Sequence, residues 1–196
     1  MYIKQSGFTL MEMIGVMAII AILASAATPK IFDAIEDGKV TAYLAEANSL
    51  KLAAANYYKD TGLWPRHIPT NTNPRYHNLI VNDANGNGAK INGWSGPYIE
   101  QEIRNHIREG GYQDLLVTAD KNWACDIDGN GKRDGKFLVY RADGISDEIA
   151  KKISNIVDKD GDITSGKKSW KKAGKVKRYG VKGDHGSILL YCLSQV

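Results

Sequence analysis

Long apolar runs are missing from this 196-residue chain everywhere but once, and in that one place charge is missing instead. From Phe8 to Ala27 the only ionisable side chain is Glu12. Cysteine is scarce: with Cys125 and Cys192 alone, a framework of several bridges is excluded. Histidine is scattered at His67, His77, His106 and His185, without H-E-x-x-H, and G-x-S-x-G does not occur. No catalytic constellation emerges, and the chain reads as a non-enzyme. There is no internal repeat.

About 20 residues at 1.5 Å rise per residue cross a hydrocarbon layer of about 30 Å, so "FTLMEMIGVMAIIAILASAA" is long enough for a single membrane span. Glu12 is then the problem. A carboxylate at mid-bilayer costs about 2.5–3.5 kcal/mol or more, and it needs a partner. Lys4 and the α-amine precede the run and favour a cytoplasmic N-terminus, with the remainder outside the membrane. There Cys125 and Cys192 could form a disulfide; two buried thiols are the alternative. A rival reading takes Ala24-Ser25-Ala26 as the cleavage triplet of a signal peptide on a secreted protein. Glu12 argues against an ordinary signal core.

The spacing divides the chain into residues 1–7, a polar leader; 8–28, an apolar helix; 29–61, its amphipathic continuation; and 62–196, a globular domain. Ala, Leu, Lys and Glu make the third part a good helix former, with Ile31, Ile35, Leu44 and Leu52 at roughly helical spacing. Pro29 should kink or break that helix, and Gly62 should stop it. Further on, 114–118, 136–141 and 187–192 read as strands, and 146–158 as a short helix with Ser146 as N-cap. The expected fold is α+β: a long N-terminal helix, half in the membrane, packed against a small antiparallel sheet.

Gly7-Phe8-Thr9-Leu10-Met11-Glu12, with a short Lys-bearing leader before it and the apolar run to Pro29 after it, resembles the prepilin-peptidase site of type IV pilins and type II secretion pseudopilins. "YYKDTGLWP" (57–65) and "WSGPYI" (94–99) look like the helix exit and the W-x-G-P-Y element of the major pseudopilin, and 146–167 resembles a segment of other pilin-like proteins. The resemblance implies cleavage after Gly7, methylation of the freed Phe8 amine, and Glu12 facing the Phe8 amine of a neighbouring subunit. Paired, the two charges offset much of each other's cost, and a subunit out of register leaves both unpaired. The implied partners are a prepilin peptidase, copies of the chain itself, other pilins or pseudopilins, the inner membrane and an assembly platform. The chain would sit in the inner membrane before assembly, its soluble domain outside, and then in a pilus or a secretion pseudopilus.

Five soluble segments invite a chemical reading. In "CDIDGNGKRDG" the residues Asp126, Asp128, Asn130, the carbonyl of Lys132 and Asp134 fall at positions 1, 3, 5, 7 and 9 of a calcium loop. The glutamate of position 12 is absent, with Phe137 in its place, and a polar turn before a strand explains the same residues. "DKDGD" (158–162) reads as a helix exit more than a metal site, and "NDANGNG" (82–88) as a turn. Gly161, Gly166 and Lys167 fall near a P-loop pattern, but Lys168 stands where Ser or Thr is required. From Lys167 to Lys182 there are eight basic residues and no acid, with Trp170 and Tyr179 between them. A solvated loop accounts for that run, while a DNA-binding minor pilin is the alternative it suggests.

Overall fold

The structure, a computed structural model, describes residues 7–66, 77–101, 103, 113–118, 125, 135–159, 174–179 and 188–196. The described elements run α1 (Leu10–Thr61), β1 (Gln113–Thr118), β2 (Phe137–Asp143), α2 (Asp147–Val157), β3 (Val176–Tyr179) and β4 (Ile188–Gln195). By compactness the chain forms one unit ending at Gly38 and a second from Lys39 to Val196. The architecture is α+β.

In the first unit α1 continues through Pro29 without a break. Proline has no N–H, so the Ser25 carbonyl loses its helical donor. Next to it, the Thr28 hydroxyl donates to the Ala24 carbonyl at 2.7 Å. One missing bond is a small loss in a helix of 52 residues.

The second unit is built on an antiparallel sheet in the order β1-β2-β4-β3. Side chains alternate across a strand, and here both faces are covered. Leu138, Tyr140 and Ala142 of β2 join Tyr43, Ala47, Leu50, Ala54 and Tyr57 of α1 in the main core. Phe137 and Val139 turn the other way, into a smaller cluster with Leu190 and the disulfide Cys125–Cys192. Leu138 pairs with Ser194 but Val139 with Cys192, a bulge at Leu193 of β4; Leu193 faces the main core and Cys192 the smaller one. The helix face that packs is made of alanines and tyrosines. Leu52, expected inside, is 65% exposed, and Ile31 and Ile35 are exposed as well. Small residues bring the helix close enough for tyrosine rings to fill the interface.

A polar clamp fixes the helix on the sheet. Tyr43 stacks on Tyr140 with ring centroids 4.7 Å apart. The Tyr140 hydroxyl donates to the Glu46 carboxylate, and Gln113 Nε2 donates to the same oxygen at 3.0 Å. Burial first, then the Glu46 charge, pushes the Tyr140 phenol far above its usual range, so it remains a donor. Beside the outer strand β1, His77 Nδ1 accepts the Leu79 N–H at 3.2 Å, which places the ring proton on Nε2 for the carbonyl of Leu115 in that strand at 2.9 Å.

Helix α2 starts at Ser146, whose hydroxyl accepts the Ile149 N–H, and buries Ile149 and Ile153. It ends at Asp158, whose two carboxylate oxygens accept the N–H groups of Lys175 and Val176 at 2.8 and 3.0 Å. This leaves Asp158 a clamp between α2 and β3.

The disulfide ties Cys125, 67 residues upstream, to β4. Closing such a loop contributes about 2–5 kcal/mol. Reduction of the full-length chain in detergent should therefore lower its urea midpoint clearly, and Cys125→Ala/Cys192→Ala should reproduce the reduced midpoint. Equal midpoints with and without reductant would show that the bridge contributes nothing.

Candidate functional site

Gly7 and Phe8 lie outside the helix, and both are exposed, Phe8 by 82%. Thr9 is the N-cap. Its backbone N–H donates to Glu12 Oε2 at 2.8 Å, its hydroxyl donates to the same oxygen at 2.9 Å, and the Glu12 N–H returns to Thr9 Oγ1 at 3.3 Å. T-x-x-E at a helix start is a capping box, in which each side chain satisfies a backbone donor that the helix leaves open. The sequence reading placed Glu12 by its spacing from Gly7 and overlooked this second role, although Thr9 three residues before Glu12 was a visible signal.

Behind the cap, Met11, Ile14, Met17, Ile19, Ile20, Ile22 and Leu23 are all exposed in the single chain. The segment is long and apolar enough to cross a membrane. An apolar surface of this extent in water would be costly, which makes membrane or other helices its surroundings.

At the other end of α1, the helix exit and the W-x-G-P-Y element meet. Gly62, at φ +70°, closes the helix with its N–H on the Tyr58 carbonyl at 2.8 Å. Asp60 Oδ2 accepts the Ser95 hydroxyl at 2.5 Å and the Tyr98 hydroxyl at 2.9 Å. Gly93 passes so close that a β-carbon there would lie 2.2 Å from the Asp60 carbonyl oxygen. The Tyr98 ring meets Tyr57 and Trp94 edge-on, and Trp94 Nε1 donates to the Asn78 carbonyl at 2.8 Å. Beside it, Tyr57, Leu63, Trp64, Arg66, Asn78, Ala84 and Ile91 line a cleft of about 210 Å³. Its lining is aromatic and aliphatic, with Arg66 and Asn78 as the polar members.

The profile of the family described as "Prokaryotic N-terminal methylation motif" matches residues 3–28, and that of "PilW, C-terminal" matches residues 34–123. The fimbrial protein EcpC of Eikenella corrodens is 36% identical over 92 residues, covering 44% of this chain and 60% of that protein. The type IV major pilin protein PilE1 of Neisseria gonorrhoeae is 38% identical over 65 residues, 33% of this chain and 30% of its own length. A fimbrial protein of Neisseria meningitidis serogroup B is 39% identical over 61 residues, 31% of this chain and 36% of its own length. The chain is similar to type IV pilins and pseudopilins.

The chain spans 60% of the Eikenella protein and about a third of the Neisseria ones. No solved structure matches it. The methylation motif covers Gly7, Phe8, Thr9 and Glu12, and the PilW profile covers the Asp60 contact with Ser95 and Tyr98. Cys125 and Cys192 lie beyond both, and their bridge comes from the structure.

The calcium-loop residues Asp126, Asp128, Asn130, Lys132 and Asp134 lie outside the described residues, as do His67, His106, His185, Gly161, Gly166 and Lys167. Phe137, at position 12 of that loop, is buried in the small core and supplies no ligand. Among the described residues, no cluster of three or more His, Cys, Asp or Glu side chains is placed to hold a metal. Asn82–Gly88 is a turn, with the Asp83 carboxylate accepting the N–H groups of Asn85, Gly86 and Gly88. The described part of the basic run is not a loop: Val176–Tyr179 forms β3 against β4, and Lys177 is only 3% exposed.

Hydrogen bonds from Ser95 and then Tyr98 hold the Asp60 carboxyl below its usual range. The sign follows from linkage. A depressed folded value stabilises the fold above the unfolded value of about 3.9, and that contribution is lost as pH falls through the lower folded value. Asp60→Asn should therefore be less stable than the native chain near neutral pH, with the gap closing below about pH 4. Thermal melts of both proteins from pH 3 to 7 test this, and a gap independent of pH would rule out the ionised bond as its source.

Proposed function

We propose that this protein is a structural, non-enzymatic subunit of a pilin-like filament, cleaved after Gly7 and polymerised through its N-terminal helix. One observation carries the reading. A single carboxylate, Glu12, stands at the head of the otherwise apolar and exposed first part of α1, up to Ala27, four residues after Phe8. Cleavage before Phe8 would create a cation about one helical turn from that carboxylate, at the same end of the span. In a stack of staggered helices each Glu12 then meets the Phe8 amine of the neighbour, and the pairing makes one register cheaper than the others. Met11, Ile14 and Ile22 pack against neighbouring helices, with Gly15 and Ala18 allowing close approach. The prepilin peptidase, an assembly platform and the inner membrane are the machinery this requires.

Two filament types remain in competition. The relatives named as fimbrial protein and type IV major pilin favour a pilus, whereas the W-x-G-P-Y element resembles a secretion pseudopilin. Deleting the chain separates them, since a pilus subunit removes surface fibres and a pseudopilin removes secreted proteins from the medium.

The native protein should begin at a methylated Phe8, and Glu12→Ala should still be inserted and cleaved yet form few or no filaments. Intact mass and electron microscopy of sheared fractions provide the readouts. A mature start at Ala27, or normal filaments from Glu12→Ala, would sink the reading.

Calcium in the loop from Asp126 to Asp134 is a separate proposal that rests on ligand spacing alone. EDTA should lower the melting temperature of the full chain, and calcium should restore it better than magnesium; Asp126→Ala/Asp128→Ala should abolish the response. Identical melts with EDTA and with millimolar calcium would leave the loop a turn.

A further inference from the structure

We propose that Thr9 is the positioning residue for Glu12: it holds one carboxylate oxygen of the unassembled subunit so that the other faces the incoming amine. The inference rests on the filament reading above and adds to it the residue that orients its key charge.

Both donors of Thr9, the backbone N–H and the hydroxyl, converge on Glu12 Oε2 at 2.8 and 2.9 Å. Among the described residues Oε1 takes none of the hydrogen bonds. The return bond from the Glu12 N–H to Thr9 Oγ1, at 3.3 Å, closes the ring. Every atom in this ring belongs to Thr9 or Glu12. Cleavage between Gly7 and Phe8 removes none of them, and the box passes unchanged from precursor to mature chain.

Two consequences follow. In hydrocarbon, a free Thr9 N–H and a free carboxylate would each be expensive, so the ring lets the subunit wait in the membrane at lower cost. A glutamate side chain has three rotatable bonds, and a loose one must be frozen at the moment of pairing. Thr9 freezes it beforehand, which strengthens the later contact through pre-organisation. The geometry also limits the number of donors the neighbour must bring. Oε2 is already saturated, and one ammonium on Oε1 completes the carboxylate.

Thr9→Val keeps shape and backbone but removes the hydroxyl, and Thr9→Ser keeps the hydroxyl. Assembly should fall roughly tenfold or more in Thr9→Val, the scale expected for losing a hydrogen bond to a charged group, while insertion and cleavage persist. Thr9→Ser should assemble to within about threefold of the native chain. A second readout is independent of filaments. In the full-length, cleaved, detergent-solubilised subunit, the infrared carboxylate band that disappears in Glu12→Gln should shift in Thr9→Val and stay in place in Thr9→Ser.

Normal filament yield from Thr9→Val overturns the proposal, whatever the band does. An unshifted band together with lost assembly also overturns it, because Thr9 would then act elsewhere. Failure of the filament reading looks different: Glu12→Ala itself would assemble normally.

Discussion

Hydrocarbon offers no hydrogen bonds, so every polar group on α1 within a membrane must find its partner on the chain or on a neighbour. That constraint explains why the apolar segment is a helix and why the helix ends as it does. Interior amides bond four residues back. The open donors at the start are partly met by the ring between Thr9 and Glu12. At Pro29 the helix goes on with one acceptor short, beside a threonine whose hydroxyl bonds back to Ala24. What the chain does not satisfy by itself is the second oxygen of Glu12 and the amine that cleavage at Phe8 would expose. In the filament proposed above, that half-made polar pair is what joins one subunit to the next.

The same helix changes solvent along its length, and its composition changes with it. Up to Ile35 its large apolar side chains are exposed; from Val40 its buried positions are mostly Ala and Tyr. Alanine keeps the helix near the sheet, and tyrosine supplies both ring area and a hydroxyl that must be matched. Tyr43 stacks on Tyr140, and Tyr140 ends on Glu46. Glutamate therefore does opposite work at two places on one helix. Glu46 has its donors within the chain, from Tyr140 and Gln113, and fixes the helix on the sheet. Glu12 keeps one oxygen open.

Much of this was legible in the residues, for identifiable reasons. Gly7, Phe8 and Glu12 stand out because a lone charge in an apolar run is rare and has a fixed spacing. Ser146 marked the start of α2, and three strands were placed within a few residues because their apolar runs are bounded by Gly, Asp and Asn. β3 was missed. Two of its four residues, Lys177 and Arg178, are basic, and only the pairing with β4 makes Val176–Tyr179 a strand. The buried helix face was placed only roughly: the alanines beside Leu52 are buried, as close packing requires, while Leu52 itself is exposed. The link from Asp60 to Ser95 and Tyr98 spans more than 30 residues, and no local pattern encodes it.

Distance along the chain also separates what the two ends of the molecule can specify. Near Glu12, satisfaction is local: three residues apart, backbone and side chain close a ring before any tertiary structure is needed. Around Asp60, satisfaction is tertiary, since the carboxylate is met only when residues 93–98 have folded back and Gly93 leaves room beside the Asp60 carbonyl. The Cys125–Cys192 bridge holds the far side of the sheet in the same way, from a separation of 67 residues. On the filament reading proposed above, a subunit made like this waits with its assembly end ready in the membrane while the rest of its chain folds outside it. The sorting is physical: local bonds where water is absent and partners must already be at hand, long-range bonds where water is present and can stand in until the fold closes.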